Sequence, residues 1–347
     1  MDAEVTAGPG LTGAPTGSAG PMRRAARALR LPIGAIARLD AAPVGQTTSA
    51  TRLRRGVAVL MAVYALVYGA LALSHGEGVS IAAVITLLVA SALYTNRVSR
   101  FLRDWVPVFV GLALYVLTTA AVPDLGLKVH YTPQIDVDRI LGLGTLPTTW
   151  LQEHLYGGRT GVLELFSLLM YVSHFLAPLV LAFLLWAVWE KRGFSDLLFG
   201  LLAVSILADI TFVLAPTAPP WLAAQQGLIE PVQPILTNAL YSVHLDALAA
   251  HKGDASAYNV VAAVPSLHAA WPVICLLVIR KHRLPRWLFA AQLGIAIGVF
   301  FAIVYTGEHY LVDAVAGVVY AFAAWWLLQL AFGAKRALRP TEAPASR

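Results

Sequence analysis

The sequence predicts an all-α protein, a polytopic membrane helical bundle with about eight transmembrane helices. Of its 347 residues, 58% are hydrophobic and only 13% are charged, whereas about 25% of the residues in a typical soluble domain are charged. Eight runs also approach the roughly 20 apolar residues that a membrane-spanning helix needs. These runs cover residues 57–74, 79–95, 105–122, 162–189, 196–215, 263–279, 287–305 and 310–332.

The positions of the basic residues predict how this bundle is oriented. Of the 25 Lys and Arg residues, all but four fall on one face of an eight-span bundle; the exceptions are Lys128, Arg139, Arg159 and Lys252. The positive-inside rule places the Lys- and Arg-rich face in the cytoplasm. We therefore expect a multi-pass protein of the cell membrane with both termini cytoplasmic. The net charge of +6 comes from these clusters beside spans, so the expected partner is the lipid bilayer and not nucleic acid.

The spans divide the chain into segments with different expected roles. The segments are a basic, largely disordered cytoplasmic tail (1–56), three accessory transmembrane helices (57–122), an extracytoplasmic cap segment (123–161), a catalytic transmembrane domain (162–332) with an extracytoplasmic loop (216–262), and a cytoplasmic tail (333–347). Connections as long as the cap segment and the loop are uncommon unless they are functional. We therefore look for chemistry at the outer face.

Polar residues gather where three spans meet this outer face. The three stretches are Pro216–Trp221 after the fifth span, Pro265–His268 at the start of the sixth, and Tyr305–Asp313 at the start of the eighth. Ionisable groups at the ends of spans become informative when several share one depth in the membrane. An extracytoplasmic active site is therefore predicted.

His309 and Asp313 are the strongest candidate pair. Residues four apart lie on one face of a helix, so the carboxylate can accept the N–H of one imidazole nitrogen and leave the other as a nucleophile or base. A histidine at a helix start beside a structural aspartate is the alternative. Asp313 lies one turn inside an apolar span, where an unpaired carboxylate is costly, and this favours the pair.

The Pro265–His268 stretch predicts a helix N-terminus that could bind an anion. Proline suits the first turn of a helix, and the exposed N–H groups, the Ser266 hydroxyl and the helix dipole favour a phosphate. His268 would lie one turn along, able to give a proton to a departing oxygen; the alternative is an interfacial histidine without a role. Gly307 permits a second close backbone approach, so two helix starts could face one phosphate.

The remaining polar positions have weaker signals. Pro219 and Pro220 predict the end of the fifth helix and an extended segment, and Trp221 fits an anchor at the level of the lipid headgroups, although an ordinary membrane-exit turn would look the same. His174 and Asp209 lie inside the fourth and fifth spans. They could pair or support the site from below, but a structural hydrogen bond between helices is the favoured interpretation for each.

Together these stretches resemble a known family. Residues Pro265–His268 followed by His309 and Asp313, with Thr217–Trp221 ahead of them, look like the type-2 phosphatidic acid phosphatase superfamily, and most like its branch of inositol phosphorylceramide synthases. The resemblance covers about residues 160–332 and implies a six-helix-type phosphatase/transferase core at the C-terminal side. It implies that His309 is the nucleophile that forms a phosphohistidine, that Asp313 orients it, and that His268 is the general acid.

The sequence departs from the family's usual pattern at the phosphate clamp. Typical phosphatases of the family carry a Ser-Arg pair shortly before the nucleophile, where this chain has the apolar run 301–304, and their upstream Lys…Arg-Pro motif is replaced here by Pro-Pro-Trp. Phosphoryl transfer depends on stabilising charge on the equatorial oxygens, so another donor is expected; the candidates are Lys252, His244, Arg139 and Arg159. Expected substrate contacts are Pro219, Pro220, Trp221, Ser266, Gly307, Lys252 and His174.

The expected function is that of a lipid phosphotransferase or phosphatase at the extracytoplasmic face. The branch resemblance implies transfer of an inositol phosphate group between a membrane lipid, either a phospholipid or a polyprenyl phosphate, and a polyol or lipid acceptor; hydrolysis is the alternative when water replaces the acceptor. No metal or cofactor is expected, because the site has no tight carboxylate cluster and two histidines can perform both steps. The lone Cys275 permits neither a disulfide nor a cysteine metal site. The alternative class is a transporter in which buried His and Asp residues line a proton or substrate path. A scaffold protein is a third possibility, but it would not explain the three polar stretches.

Overall fold

A computed structural model describes residues 49–75, 81–122, 125–188, 191–253 and 261–337. These ranges hold thirteen helices and no extended strand, which confirms the predicted all-α, polytopic bundle. Most of the predicted tail at 1–56 and the last ten residues of the tail at 333–347 lie outside the described residues. The helices are α1 (Ser49–Ser74), α2 (Ile81–Tyr94), α3 (Val98–Ala121), α4 (Thr132–Leu141), α5 (Pro147–Leu155), α6 (Val162–Ala187), α7 (Lys191–Leu214), α8 (Pro220–Gln225), α9 (Ile235–Ser242), α10 (Asp246–Gly253), α11 (Leu267–Lys281), α12 (Arg286–Tyr305) and α13 (Leu311–Ala337).

Six of these helices are long and apolar enough to cross a membrane: α1, α3, α6, α7, α12 and α13. The other two predicted spans are also helical but shorter, with 14 residues in α2 and 15 in α11. Helix α11 begins at Leu267, four residues later than the predicted span, because Ser266 acts as its N-cap and accepts from the N–H of Ala269. A count of eight spans therefore stays a prediction.

The described residues pack as two compact units. One contains residues 49–64 and 85–104, and the other contains 65–84 and 105–337. In the first unit, Arg100 and Asp104 form an ion pair of 3.6 Å one helical turn apart. The second unit contains every candidate catalytic residue, so it alone concerns the chemistry.

Helix α11 lies at the centre of the second unit and packs against α6, α7, α12 and α13. Its middle is fully buried through Ile274, Cys275 and Val278. Gly317 of α13 permits the closest crossing, because a Cβ atom there would lie 2.1 Å from the main-chain oxygen of Ser266. The start of α11 and the first turns of α13 are thereby brought together.

The segments between the spans fold into a cap made of α4, α5, α8, α9 and α10. Two isolated parallel bridges join the chain segments that enter and leave the cap, and they pair Thr217 with His130 on one side and with Ala262 on the other. An apolar cluster that includes Ile135, Leu146 and Tyr310 packs α4 and the loop after it against the start of α13. The cap therefore contacts the bundle at the end where the three polar stretches meet.

Candidate active site

His309 and Asp313 lie together at the start of α13, as their spacing predicts. Nδ1 of His309 is 3.5 Å from Oδ2 of Asp313 and 3.0 Å from the main-chain oxygen of Ala263. The main-chain oxygen can only accept, so Nδ1 carries the proton and Nε2 keeps its lone pair. His309 is only 5% exposed and Asp313 is fully buried, so the pair lies in the protein interior, largely away from water.

His268 lies against this unprotonated nitrogen. Its Nδ1 is 3.1 Å from Nε2 of His309, and because that Nε2 has no proton to give, Nδ1 of His268 is the donor. The two histidines come from different helices, 41 residues apart in the chain. One ring thus offers a lone pair and the other offers a proton at the same point.

Aromatic rings from α6 surround His268. The ring centroids of His174 and His268 are 4.1 Å apart, and those of Tyr171 and His268 are 4.8 Å apart. His174 is buried and contacts the main-chain oxygen of Tyr171 through Nδ1. Asp209 instead accepts from the Thr118 hydroxyl of α3 at 2.9 Å. The favoured structural interpretation therefore holds for Asp209, whereas His174 lies directly behind the candidate acid.

The residues before the Pro-Pro-Trp stretch hold His309 in place. The main-chain N–H of Thr217 donates to Val261, and its hydroxyl accepts from the N–H of Val264 at 2.9 Å. The N–H of Ala263 donates back to the oxygen of Thr217 at 3.2 Å. The oxygen of Ala263 in turn accepts from Nδ1 of His309. Thr217 therefore helps to fix the tautomer of His309 indirectly, by holding Ala263.

Pro219, Pro220 and Trp221 are placed beside the third stretch. The predicted extended segment ends at Pro219, because Pro220 begins the short helix α8. The N–H of Trp221 donates to the oxygen of Gly307 at 3.3 Å. Gly307 has a φ of +78°, and a Cβ atom there would lie 2.4 Å from Val232. The close approach predicted at Gly307 is therefore made by a side chain of the cap.

The N-terminus of α11 keeps a donor available. Ser266 caps it through its hydroxyl, which accepts from Ala269, and Ser266 itself is fully buried. Within the described ranges, the main-chain N–H of Leu267 makes no hydrogen bond. An anion at this point would meet a free N–H and the positive end of the helix dipole.

The sequence predicted that two helix starts could face one phosphate, but the N–H groups at the start of α13 already have partners within the protein. The N–H groups of Leu311 and Val312 each donate to the carboxylate of Asp138 at 2.8 Å. The N–H of Tyr310 donates to Oδ2 of Asp313 at 2.9 Å. These three donors are occupied by the protein's own carboxylates, so α11 is the helix start with a free donor.

Sequence reasoning missed Asp138 as part of the site. Asp138 is fully buried, whereas Asp136 on the same helix is exposed. Burial, with a contribution from the nearby charge of Asp313, raises the pKa of Asp138 to about 6 against the opposing effect of its two main-chain hydrogen bonds. In a short cap helix, two aspartates only two residues apart give no signal that one of them reaches α13.

A second missed set supports the end of α12. The amide of Gln152 donates to the oxygen of Tyr305 at 2.9 Å and accepts from the N–H of Gln233 at 2.8 Å. The Tyr305 hydroxyl donates to Glu164 at 2.5 Å, and the other carboxylate oxygen accepts from the N–H of Gly161. These bonds tie α5 and α6 to the helix that precedes the nucleophile.

The predicted cationic donors are not gathered at the histidines. Arg139, Arg159 and His244 are exposed, and in the part of the chain that the structure describes their side chains make no hydrogen bond or ion pair. Lys252 lies in α10, but its side chain is outside the described residues. Among the residues described, no group of three or more His, Cys, Asp or Glu is placed to hold a metal ion.

Comparisons with known proteins agree with the resemblance in the sequence. A family model of the PAP2 superfamily, the type-2 phosphatidic acid phosphatases, matches residues 134–327. The phosphoinositol dihydroceramide synthase of Bacteroides thetaiotaomicron is 24% identical over 78% of this chain and 89% of that protein. The inositol phosphorylceramide synthase of Candida albicans is 26% identical over 68% of this chain and 50% of that protein. No solved structure matches the chain.

Proposed function

Because the chain belongs to the PAP2 superfamily, we propose that it is an integral-membrane lipid phosphotransferase that works through a phosphohistidine on His309. The contact between Nε2 of His309 and Nδ1 of His268 at 3.1 Å carries this proposal. It places a nitrogen lone pair and a proton donor at one point, and the two steps of a covalent transfer need both.

In the first step, Nε2 of His309 attacks the phosphorus of a lipid phosphodiester. A bond forms between this nitrogen and phosphorus, and the bond from phosphorus to the oxygen of the departing lipid breaks. His268 enters this step as an imidazolium, gives the proton on its Nδ1 to that oxygen and becomes neutral. The positive charge on the His309 ring is stabilised by Asp313 and by the oxygen of Ala263, which both accept from Nδ1.

In the second step, the hydroxyl of an acceptor lipid replaces the departed group. His268, now without its proton, takes the hydroxyl proton, and the oxygen attacks phosphorus as the bond to His309 breaks. Both histidines return to their starting protonation states, so the two steps balance in bonds and protons without a metal or cofactor. The two histidines must separate to admit the phosphoryl group, and catalytic hydrogen bonds commonly rearrange between the free and bound enzyme.

The phosphate charge needs donors, and the start of α11 supports this role. The free N–H of Leu267 and the dipole of α11 lie beside His268. Oriented main-chain donors in a site with little water can stabilise developing charge strongly. Ser266 and Gly307 would contribute by holding the two backbone segments, and the exposed cations Arg139, Arg159 and His244, with Lys252, remain candidates for binding a headgroup from the cap.

The substrates we propose are an inositol phospholipid as donor and a lipid with a free hydroxyl, such as a ceramide, as acceptor. The names of the two relatives support this choice. The burial of His309 and Asp313 also favours a lipid hydroxyl over water as acceptor. The distribution of Lys and Arg supports a site on the extracytoplasmic side of the cell membrane and two cytoplasmic termini.

The test uses purified protein in nanodiscs that contain phosphate-labelled phosphatidylinositol. With a ceramide present, we expect a labelled lipid product that requires both the acceptor and His309. The His309→Ala variant should remain folded by thermal unfolding but should form neither product nor acid-labile phosphoprotein. A water-soluble labelled product without a labelled lipid would show hydrolysis instead, and turnover by His309→Ala would refute the mechanism.

A further inference from the structure

Asp138 reaches from the cap to the helix that carries the nucleophile. Its two carboxylate oxygens accept separately, Oδ2 from the N–H of Leu311 and Oδ1 from the N–H of Val312, both at 2.8 Å. Asp138 is fully buried, so water cannot replace either bond. Two charge-assisted bonds from one carboxylate fix both the position and the tilt of a helix start.

The first turn of α13 also determines the position of the catalytic pair. Asp313 is the next residue after Val312, and its Oδ2 accepts from the N–H of Tyr310, which directly follows His309. A shift of this turn would therefore move the carboxylate and the imidazole together. Misplacement of reacting groups by about 1 Å can cost about a hundredfold in rate.

We infer that Asp138 is a positioning residue for the reaction, and that its carboxylate must be ionised for His309 and Asp313 to keep their catalytic arrangement. This inference rests on the proposed function. Ionisation makes both oxygens strong acceptors, whereas protonation turns one of them into a hydroxyl, which is a donor and a weaker acceptor and would face an N–H group. The residue acts through α13 and does not touch the reacting atoms.

Few of the charged or titratable groups that the structure describes lie near the Asp138 carboxylate. Tyr310 and Asp313 approach it from the α13 side. The others are Asp136 and Arg139 on α4 and Glu153 and His154 on α5, and all four of these are exposed. Burial places the pKa of Asp138 at about 6. As the pH falls through this value, the carboxylate takes up a proton and the rate should fall with it.

The test measures kcat and KM for lipid transfer between pH 4.5 and 8. In the wild type, protonation of Asp138 should lower kcat about tenfold as the pH falls through about 6, in addition to any other loss on the acid side. In Asp138→Asn, which cannot ionise, this additional fall should be absent. At high pH, kcat of Asp138→Asn should also drop about tenfold, which corresponds to the loss of about one charge-assisted hydrogen bond. Its KM should change little.

The matched control is Asp136→Asn, which removes an exposed carboxylate from the same helix and should keep the wild-type profile. If Asp138→Asn does not fold, Leu311→Pro serves, because proline is tolerated at the first position of a helix and removes one donor to Asp138. Loss of that bond should raise the pKa of Asp138 and move the acid limb to higher pH.

Three outcomes would overturn the inference: an Asp138→Asn profile that matches the wild type, a lower rate that keeps the additional fall near pH 6, or an unmoved acid limb in Leu311→Pro. Thermal unfolding of the same proteins over this pH range is independent of turnover. Because burial raises the folded pKa of Asp138, the melting temperature of Asp138→Asn minus that of the wild type should rise from pH 4.5 to 7. An inactive wild type that shows this rise would refute the proposed function and leave the role of Asp138 in α13 intact.

Discussion

The main-chain N–H of Ser266 donates a hydrogen bond of 3.0 Å to the main-chain oxygen of Asp313. Through this bond the residue that caps α11 is joined to the first turn of α13. His268 lies two residues after Ser266, and His309 lies four before Asp313, so this backbone bond helps to set how the two imidazoles meet. The crossing of these two helices is therefore part of the geometry of the candidate site.

Gly317→Ala should test this crossing. A Cβ atom at 317 would lie 2.1 Å from the oxygen of Ser266, and because that oxygen is backbone, the two helices must separate. We expect kcat to fall about a hundredfold, as for a misplacement of about 1 Å, with KM nearly unchanged. Gly294→Ala in α12, where a Cβ atom meets nothing within 4 Å, is the control. A wild-type rate for Gly317→Ala would show that the crossing does not position the histidines.

Asp313→Asn should slow the transfer without abolishing it. The oxygen of Ala263 is nearer to Nδ1 of His309 than the carboxylate is, at 3.0 Å against 3.5 Å, so the tautomer is retained. What is lost is one charge-assisted bond, worth about 1.5–3 kcal/mol, and kcat should fall about tenfold to a hundredfold. The measurement is the steady-state kcat of Asp313→Asn, compared with those of the wild type and of His309→Ala. Equal inactivity of both variants would mean that the carboxylate alone holds the tautomer.

His268→Ala should depend on the leaving group. Loss of a general acid commonly costs 10²–10⁴ in rate, but only where the departing oxygen needs a proton. Transfer from a natural phospholipid should therefore fall by about this factor. A nitrophenyl phosphodiester has an acidic leaving group that departs without a proton, so the rate of the first step with this donor should be nearly unchanged. Rapid-quench measurement of the labelled phosphoprotein gives that rate. Equal losses for both donors would argue against His268 as the acid.

Tyr305→Phe should lower stability more than it alters the chemistry. The Tyr305 hydroxyl donates to buried Glu164 at 2.5 Å, and its removal leaves one carboxylate oxygen unpaired. This should cost about 1–3 kcal/mol in the free energy of unfolding, measured as a lower melting temperature in detergent. Tyr241→Phe, at an exposed position, should melt like the wild type. No difference between the two variants would show that the bond contributes nothing to stability.

The sequence was most informative where the chemistry depends on side chains at helical spacing. The apolar runs predicted the helices, and the interval from His309 to Asp313 predicted a pair that the structure brings within 3.5 Å. The proximity of His268 to His309 also followed, because both lie at ends of spans that share one face of the membrane. These features depend on local geometry and hydropathy, which the sequence records directly.

Contacts made through the main chain could not be predicted in the same way. The oxygen of Ala263 that accepts from His309 belongs to a residue type without a polar side chain. Gly317 is one of several glycines in apolar helices, and only the crossing with Ser266 distinguishes it. The reach of Asp138 to α13 depends on how the cap folds over the bundle, for which neither spacing nor composition gives a sign.

The bond between Asp138 and the N–H of Val312 joins residues 174 positions apart, and this separation has a consequence for biosynthesis. A membrane protein enters the bilayer as it is translated, so the cap segment is made long before α13 leaves the ribosome. His309 itself lies just ahead of α13. A growing chain therefore cannot hold the first turn of α13 against the cap until α13 itself has been made.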